Sequence, residues 1–565
     1  MRYITTFVAI ALLGLSGGLS DTLTAQQRVG EPIEFLDRLY QNAAEALMLT
    51  VLDPGPGARI AYGLPSFDFD SDNFIFQSGL YAVVALDGTL LHSELGTAAY
   101  VGVGAKVVSL GDVTGDGKDD FSVDTNARTV VLDGQSFALL ATLSNPTRHF
   151  QPLGDLDGDG VGDVYAFGNG ILFGPHWTVP GIPPEHPLSS ARYRYPSWYS
   201  TGPLAFYIGD ISRVKPFVDR NGDGVAEYLV SWNWNDTDWW HFAQFDNLVG
   251  LHDGVTGELL DYVRVDRAWS QIGISFDTLG DLSGDGVPEI VVSKWQLEIP
   301  ITPHRYQIYI ADGASLEIVG QLKRFRGHPE LDSSEVRVIG KTLRAIGDIN
   351  KNGSPDFLTA IVLPDPHPDG GIWKIEKVLA VDGYTLEPIW EYIDLEAGGG
   401  FSNVVEPAGD VDGDGFQEFV AAGVYKFGVY SCLPAGIRVG GEGTPALDGR
   451  VPAIGVGTNV SVSRKKLAFH LTDVPLGRSA HLMLSTQKSM QTVAGGGRVL
   501  VPELMLPATS EAMGPFVNAT VELTSSGWTN AIGQVFYAQW VMPETTGTGS
   551  LHFAASQVFE VTVRP

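Results

Sequence analysis

The sequence predicts an all-β protein, a seven-bladed β-propeller followed by a small β-sandwich. Three observations carry that expectation. A nine-residue acidic loop recurs six times, each copy runs directly into apolar β-prone residues, and an Asp-Gly pair follows in phase with most copies. The composition agrees: 68 Gly and 33 Pro supply turns, while 44% hydrophobic against 18% charged residues marks a core-forming chain.

The first element, 1–25, reads as an export signal. Arg2 gives the positive start, an apolar run covers 4–19, and small residues place cleavage after Ser20 or Ala25. The run is too short for a membrane span. The expectation is a secreted or cell-surface protein with no stable membrane insertion after the signal is removed. Residues 26–60 read as a lead-in segment. The single cysteine, Cys432, leaves no internal disulfide, so an exported chain needs another staple, and metal ions are the obvious one.

The propeller is assigned to 61–432. Its loops start at Asp112, Asp155, Asp219, Asp281, Asp348 and Asp410, and a degraded seventh copy is read at Asp68. The intervals of 44, 43, 64, 62, 67 and 62 residues suit a unit of about four short strands. Asp87-Gly88, Asp133-Gly134, Asp253-Gly254, Asp312-Gly313 and Asp382-Gly383 read as hairpins in which glycine accepts positive φ. The units around 170 and 430 lack this pair. Closing the sheets into a ring removes their open edges, and seven is the preferred count, with six or eight as alternatives.

Oxygen donors at loop positions 1, 3, 5 and 9, with a carbonyl at 7, can wrap a hard divalent cation, Ca²⁺ foremost. In the first copy Asp112, Thr114, Asp116 and Asp120 offer side chains and Lys118 its carbonyl. The second offers Asp155, Asp157, Asp159, Val161 and Asp163, and the third Asp219, Asn221, Asp223, Val225 and Glu227. The fourth has Asp281, Ser283, Asp285, Val287 and Glu289, the fifth Asp348, Asn350, Asn352, Ser354 and Asp356, the sixth Asp410, Asp412, Asp414, Phe416 and Glu418.

Glycine at position 6 permits the sharp turn. An EF-hand would need an acid at position 12 on an exiting helix, yet those positions hold Val123, Ala166, Val230, Val292, Thr359 and Ala421. Plain surface turns would explain one such copy, but not six with identical offsets. Acids at ligand positions number 19 of the chain's 66, and six Ca²⁺ would take the formal charge from −30 to −18. With two acids only, the fifth loop is expected to bind most weakly.

These loops resemble the FG-GAP repeats of integrin α-subunits and their bacterial relatives. The stretch 104–123, Gly-Ala-Lys-Val-Val-Ser-Leu-Gly-Asp-Val-Thr-Gly-Asp-Gly-Lys-Asp-Asp-Phe-Ser-Val, looks like the core of one repeat. The resemblance covers roughly 60–432 and implies a seven-bladed propeller with calcium loops on one face and ligand-binding loops usually on the other. The Phe-Gly and Gly-Ala-Pro halves that name the family are poorly kept, so it rests on the loops.

Blades three to six are longer and carry insertions. Trp198, Trp232, Trp234, Trp239 and Trp240, five of the twelve tryptophans, flank the third loop amid Asn and Asp. Exposed, they would form a platform for sugar rings or a protein partner; buried, they plug the core, which is the plainer reading. Residues 433–457 read as a Gly/Pro-rich linker and 458–565 as the sandwich, from spaced strand-like segments at 459–471, 480–485, 498–506, 517–524, 534–542 and 558–563.

A net charge of −30 argues against nucleic acid, leaving an extracellular protein or glycan as the expected partner. No catalytic constellation is present, and the functional expectation is an adhesion or recognition scaffold. A calcium-dependent polysaccharide lyase on the same scaffold is the enzymatic alternative. Arg305, Lys323, Arg324 and His328 are available for it, although no spacing singles them out.

Overall fold

Apolar runs on the second strand of each repeat have to be covered on both faces, and the architecture does this by stacking sheets side by side. The structure, a computed structural model, describes residues 33–34, 48–64, 79–96, 102–125, 128–143, 150–156, 158, 162–166, 170–172, 210–233, 249–263, 270–296, 305–322, 338–366, 372–386, 388–392, 404–422, 426–433, 437–440, 443–449, 451–456, 466–472, 479–493, 498–509, 511–513, 516–524 and 534–562. Every regular element among them is a β-strand.

Among the described residues, strands lying within 48–95, 106–143, 150–172, 210–262, 270–321, 338–392 and 404–431 form seven antiparallel sheets. Their first strands are Met48–Leu52, Lys106–Gly111, Phe150–Gly154, Asp210–Pro216, Ser270–Thr278, Val338–Gly347 and Val404–Gly409. Each first strand touches the next in that order, and Val404–Gly409 touches Met48–Leu52, so the sheets form a ring with propeller geometry.

The apolar cores lie between neighbouring sheets. Tyr81 of the first packs with Phe121 of the second, Phe276 of the fifth with Leu251 of the fourth, and Trp390 of the sixth with Phe419 of the seventh. A core of Ile60, Tyr62, Val420 and Phe427 joins first to seventh. Burying both faces of each sheet is what the apolar strands require.

The ring has a second closure. Ile33–Glu34, inside the segment read as a lead-in, pairs antiparallel with Lys426–Ser431 as outermost strand of the last sheet, in register Ile33 with Phe427 and Glu34 with Lys426. That sheet takes its fourth strand from the chain's start, so it needs no third hairpin turn, which accounts for the missing Asp-Gly near 430. Met48–Leu52 also precedes the expected boundary at 61.

The Asp-Gly turns join third to fourth strands as expected, but for a different reason. Only Gly88 has positive φ, 84°. At the other four turns the left-handed residue comes four positions after the aspartate: Phe137, Gly257, Leu316 and Leu386. Asp133 Oδ1 accepts the Gln135 and Ser136 N–H groups and the Ser136 hydroxyl, and Asp253 and Asp312 hold Thr256 and Ser315 likewise. Glycine is needed there for close approach: a Cβ on Gly313 would lie 2.0 Å from the Pro288 carbonyl oxygen, and one on Gly254 2.1 Å from that of Ala226.

Beyond the ring, two sheets face each other. One runs Ile437–Gly440, Val558–Thr562, Val535–Thr545, Ser479–Ser485, Leu504–Thr509, with Leu551–Ala555 also on Val535–Thr545. The other runs Ala453–Val456, Lys466–Thr472, Phe516–Thr524, Glu511–Met513. Phe469, Leu482, Trp540 and Phe559 fill the space between them, and the Trp540 Nε1–H donates to the His470 carbonyl at 2.8 Å. This is the expected sandwich. Two of its strands, Ile437–Gly440 and Ala453–Val456, come from the stretch read as a linker.

Gly313→Ala is expected to destabilise the protein by about 2 kcal/mol or more, because the obstructing atom is backbone. Gly88→Ala should cost only about 1 kcal/mol, the left-handed penalty. Urea denaturation of the two variants measures the difference.

Candidate metal centre

All six acidic loops fall at one place in the architecture, the connection between first and second strands of a sheet. The position-1 carboxylate turns inward on its own loop. Asp112 Oδ1 accepts the Gly115 and Asp116 N–H groups, at 2.6 and 3.0 Å, and Oδ2 that of Gly117 at 2.7 Å. Asp219, Asp281 and Asp410 receive the N–H groups of positions 4 and 6 in the same manner. The acid at position 5 accepts from position 7, as in Asp116 from Lys118 and Asp414 from Phe416.

Position 4 needs the left-handed conformation as well as position 6: Gly115 and Gly117 have φ of 77° and 86°, Gly413 and Gly415 of 75° and 88°. Glycine supplies both at little steric cost. Each loop exits into a strand, and Val123, Val230, Val292, Thr359 and Ala421 at position 12 are buried there.

Position 9 closes the loop. Asp120 Oδ2 accepts from Val113 and Thr114, Asp163 from Leu156, Glu227 from Arg220, Glu289 from Leu282 and Glu418 from Val411. All five carboxylates are buried. The remaining Asp120 oxygen accepts from Gly134, but Glu227 Oε1 and Glu418 Oε1 are buried with no hydrogen-bond partner. A buried anionic oxygen left bare is costly unless a cation faces it.

The sixth loop brings three donors together: carboxylate oxygens of Asp410, Asp412 and Glu418 lie within 4.8 Å of one another. Burial pushes the Glu418 carboxyl up to about 8, with the charges of Asp412, Asp414 and Asp410 adding to the effect. Burial likewise raises Asp414 and Asp120 to about 6. This all-oxygen, crowded, partly bare donor set suits a hard divalent cation of Ca²⁺ type, which would reverse the repulsion.

The other loops vary on this plan. Positions 3 to 6 of 219–227 and of 281–289 face solvent. Asp157, Asp159 and Val161 lie outside the described residues; Asp155 caps Gly158 at 2.7 Å. The fifth loop draws its partners from the adjacent turn, although burial and the charges of Asp382 and Asp348 still push the Asp356 carboxyl well above the usual carboxylate range. The Asn350 and Asn352 amides both donate to Asp382 of the adjacent turn, and Asp356 accepts from Ile349 and Asn350 with one oxygen and from Gly383 with the other. Lys351 stands where a left-handed glycine belongs, with φ of 52°.

Trp198, Trp234, Trp239 and Trp240 lie outside the described residues, as do Lys323, Arg324 and His328. Trp232 is placed only by its backbone, opposite Ile211. Residues 65–78, with the degraded copy at Asp68, also lie outside them. That copy falls after Arg59–Leu64, between second and third strands, whereas the loop position of the first sheet is 53–58.

At that position stands a device the sequence reading missed. Asp53 and Asp119 exchange backbone N–H to carboxylate bonds, at 2.9 and 2.8 Å, joining the first sheet to position 8 of the first loop, on the second sheet. Arg59 grips Asp53 through Nε and Nη2, at 2.7 Å each, and donates to the Gly134 carbonyl. A guanidinium fixed by the chain sits at the first sheet's own loop position. The inner strands hold a second missed network: Arg213 and Lys215 on Asp277, and Arg344 bidentate on Glu406, tying the fourth sheet to the fifth and the sixth to the seventh.

No known family profile matches the chain, and no curated protein matches it. Among solved structures, sucrose-6-phosphate hydrolase from Lactobacillus gasseri is 9% identical, with a TM-score of 0.25 over 91% of each chain. A glycoside hydrolase family 32 protein from Bifidobacterium adolescentis is 8% identical, with a TM-score of 0.25 over 93% of this chain and 96% of that one. A fructofuranosidase from Schwanniomyces occidentalis is 9% identical, with a TM-score of 0.17 over 63% of this chain and 92% of that one. Superpositions this loose carry no argument, and the activities in those names belong to those proteins.

Because its cation is covalently part of the chain, the Arg59 clasp should be insensitive to chelators. Arg59→Met is expected to cost about 2 kcal/mol or more, by stripping Asp53 of its counter-charge. Arg59→Lys should recover only part of that, lacking the fork. Urea denaturation with and without chelator should give the same loss.

Proposed function

We propose that this chain is a secreted, calcium-stabilised propeller of the FG-GAP kind that serves as a recognition or adhesion scaffold for an extracellular protein or glycan. The observation that carries the calcium reading is the buried, unpartnered carboxylate oxygen at position 9 of the third and sixth loops, beside acids with converging oxygens in the sixth. The residues that would hold the ions are those at positions 1, 3, 5, 7 and 9 of the six loops. Bound there, Ca²⁺ supplies positive charge and six or more oxygen bonds that fasten the first strand of a sheet to the second. The chain's own part is to present the donors on glycine-shaped turns and to keep the closing carboxylate dry.

A scaffold role is supported by where the acids are spent: on loops that staple strands rather than on a nucleophile–base pair. The export signal at 1–25, a partner other than nucleic acid, and the aromatic platform at Trp198, Trp232, Trp234, Trp239 and Trp240 complete the proposal. The lyase alternative is distinguished by incubating the protein with calcium and plant and algal polysaccharides. A scaffold retards a glycan or partner on a gel without forming unsaturated product, whereas absorbance of such product supports the lyase.

A ligand bound by the folded state alone stabilises it by about 2.7 kcal/mol per site at a hundredfold excess over Kd. Chelation is therefore expected to lower the Tm by on the order of 10 °C, read by calorimetry; an unchanged Tm contradicts the proposal. Asp155→Ala should narrow the gap between calcium and chelator melts more than Asp348→Ala. The second of these loops, 155–163, holds four acids, whereas the fifth already satisfies its own donors.

A further inference from the structure

The sixth loop faces two domains. The carboxylates of Asp410, Asp412 and Glu418 converge, while Phe416, at position 7, is 2% exposed and belongs to the core of the sandwich. The Phe416 ring stacks at a tilt on Phe559, centroids 5.8 Å apart. A Cβ added to Gly415 would meet the Gln557 carboxamide at 3.8 Å. The fifth loop completes the seat. The Lys351 ammonium lies 5.2 Å above the Phe416 ring, and the Asn350 carbonyl presses so closely on Gly455 of Ala453–Val456 that a Cβ there would stand 1.9 Å from it. Positions 3, 4 and 6 of the sixth loop face solvent as they do in the third and fourth; the difference is at position 7, where Lys118, Val225 and Val287 are only half-buried and Phe416 is buried.

The chain passes from ring to sandwich at the same spot. Cys432 is buried in the core between sixth and seventh sheets, its N–H donating to the Gln417 carbonyl at 2.9 Å, and the next residue, Leu433, is buried in the sandwich core.

We infer that the sixth loop is a cation-dependent latch for the C-terminal sandwich. One residue serves both sides: the Phe416 carbonyl is a ligand position and its side chain is anchored in the other domain. Holding the ring of Phe416 in the sandwich fixes that carbonyl. Cation binding by Asp410, Asp412, Asp414 and Glu418 fixes the backbone that carries the ring. The two events favour each other by the same factor, whichever comes first. The inference rests on the calcium reading of the loops and adds to it that the sixth site, seated beside the fifth loop against the sandwich, is an interdomain fastener.

The test uses the full chain, calcium alone as probe, and two readouts. Calcium stoichiometry and affinity come from calorimetric titration. Latch opening is read by the labelling rate of Cys432, whose burial also pushes its thiol up, and by hydrogen exchange over 453–456. In saturating calcium, the wild type and Asp223→Asn, in the solvent-facing third loop, should label equally slowly. Asp412→Asn, or chelation of the wild type, should speed labelling and exchange about tenfold or more. Phe416→Ala should weaken one calcium site about tenfold and leave the others unchanged. Far-UV spectra confirm that each variant is folded, and Phe416→Ala decides the matter if Asp412→Asn is not. The inference is overturned if Asp412→Asn loses one calcium while Cys432 and 453–456 stay as protected as in the wild type, or if Phe416→Ala speeds labelling with every site at full affinity. A wild type that takes up no calcium removes the calcium reading, and this inference with it.

Discussion

The closing carboxylate at loop position 9 is the constraint on which the ring depends. It is buried at the root of the second strand, bonded to the N–H of position 2, and so pins the start of each loop to its end. Without that bond the first strand, which touches its neighbours around the ring, is joined to its own sheet only by strand pairing. A buried anion in that place is a liability by itself. It becomes an asset when backbone donors and a cation share its charge, as the glycine-shaped loops allow.

The same problem is solved three ways around one ring. The first sheet has no acidic loop and uses the Arg59 guanidinium on Asp53. The fifth loop replaces two acids by Asn350 and Asn352 and directs their amides onto Asp382. The sixth keeps all four acids, leaves a Glu418 oxygen bare, and lies against another domain. The more donors a loop satisfies internally, the less a cation has to contribute. On the calcium reading proposed above, the ring would be graded, from a staple built into the chain to one supplied from solution.

Much of this was legible in the sequence because the loop needs fixed residue types at fixed offsets. Acids at 1 and 9, an acid or Asn at 5, glycine at 6 and a non-acidic position 12 identify both the loop and its exit into a strand. The Asp-Gly turns stand where the sequence puts them, for the reason it suggests at Gly88 and for another at the remaining four. Phe137, Leu316 and Leu386 adopt the left-handed conformation without any glycine to signal it, whereas Gly254 and Gly313 serve close approach to a carbonyl. The Arg59 clasp was invisible, since Asp53 and Arg59 gain meaning only from Asp119 and Gly134 on the neighbouring sheet. Ile33–Glu34 and Ala453–Val456 were missed because two- and four-residue strands owe their order to partners distant in sequence.

The most direct measurement is elemental analysis of the purified protein, exported and dialysed against calcium-free buffer without chelator. The account predicts several calcium atoms per chain, approaching six, with the fifth loop the first to be found empty. A protein that carries essentially no divalent cation, and acquires none when calcium is returned, would contradict it.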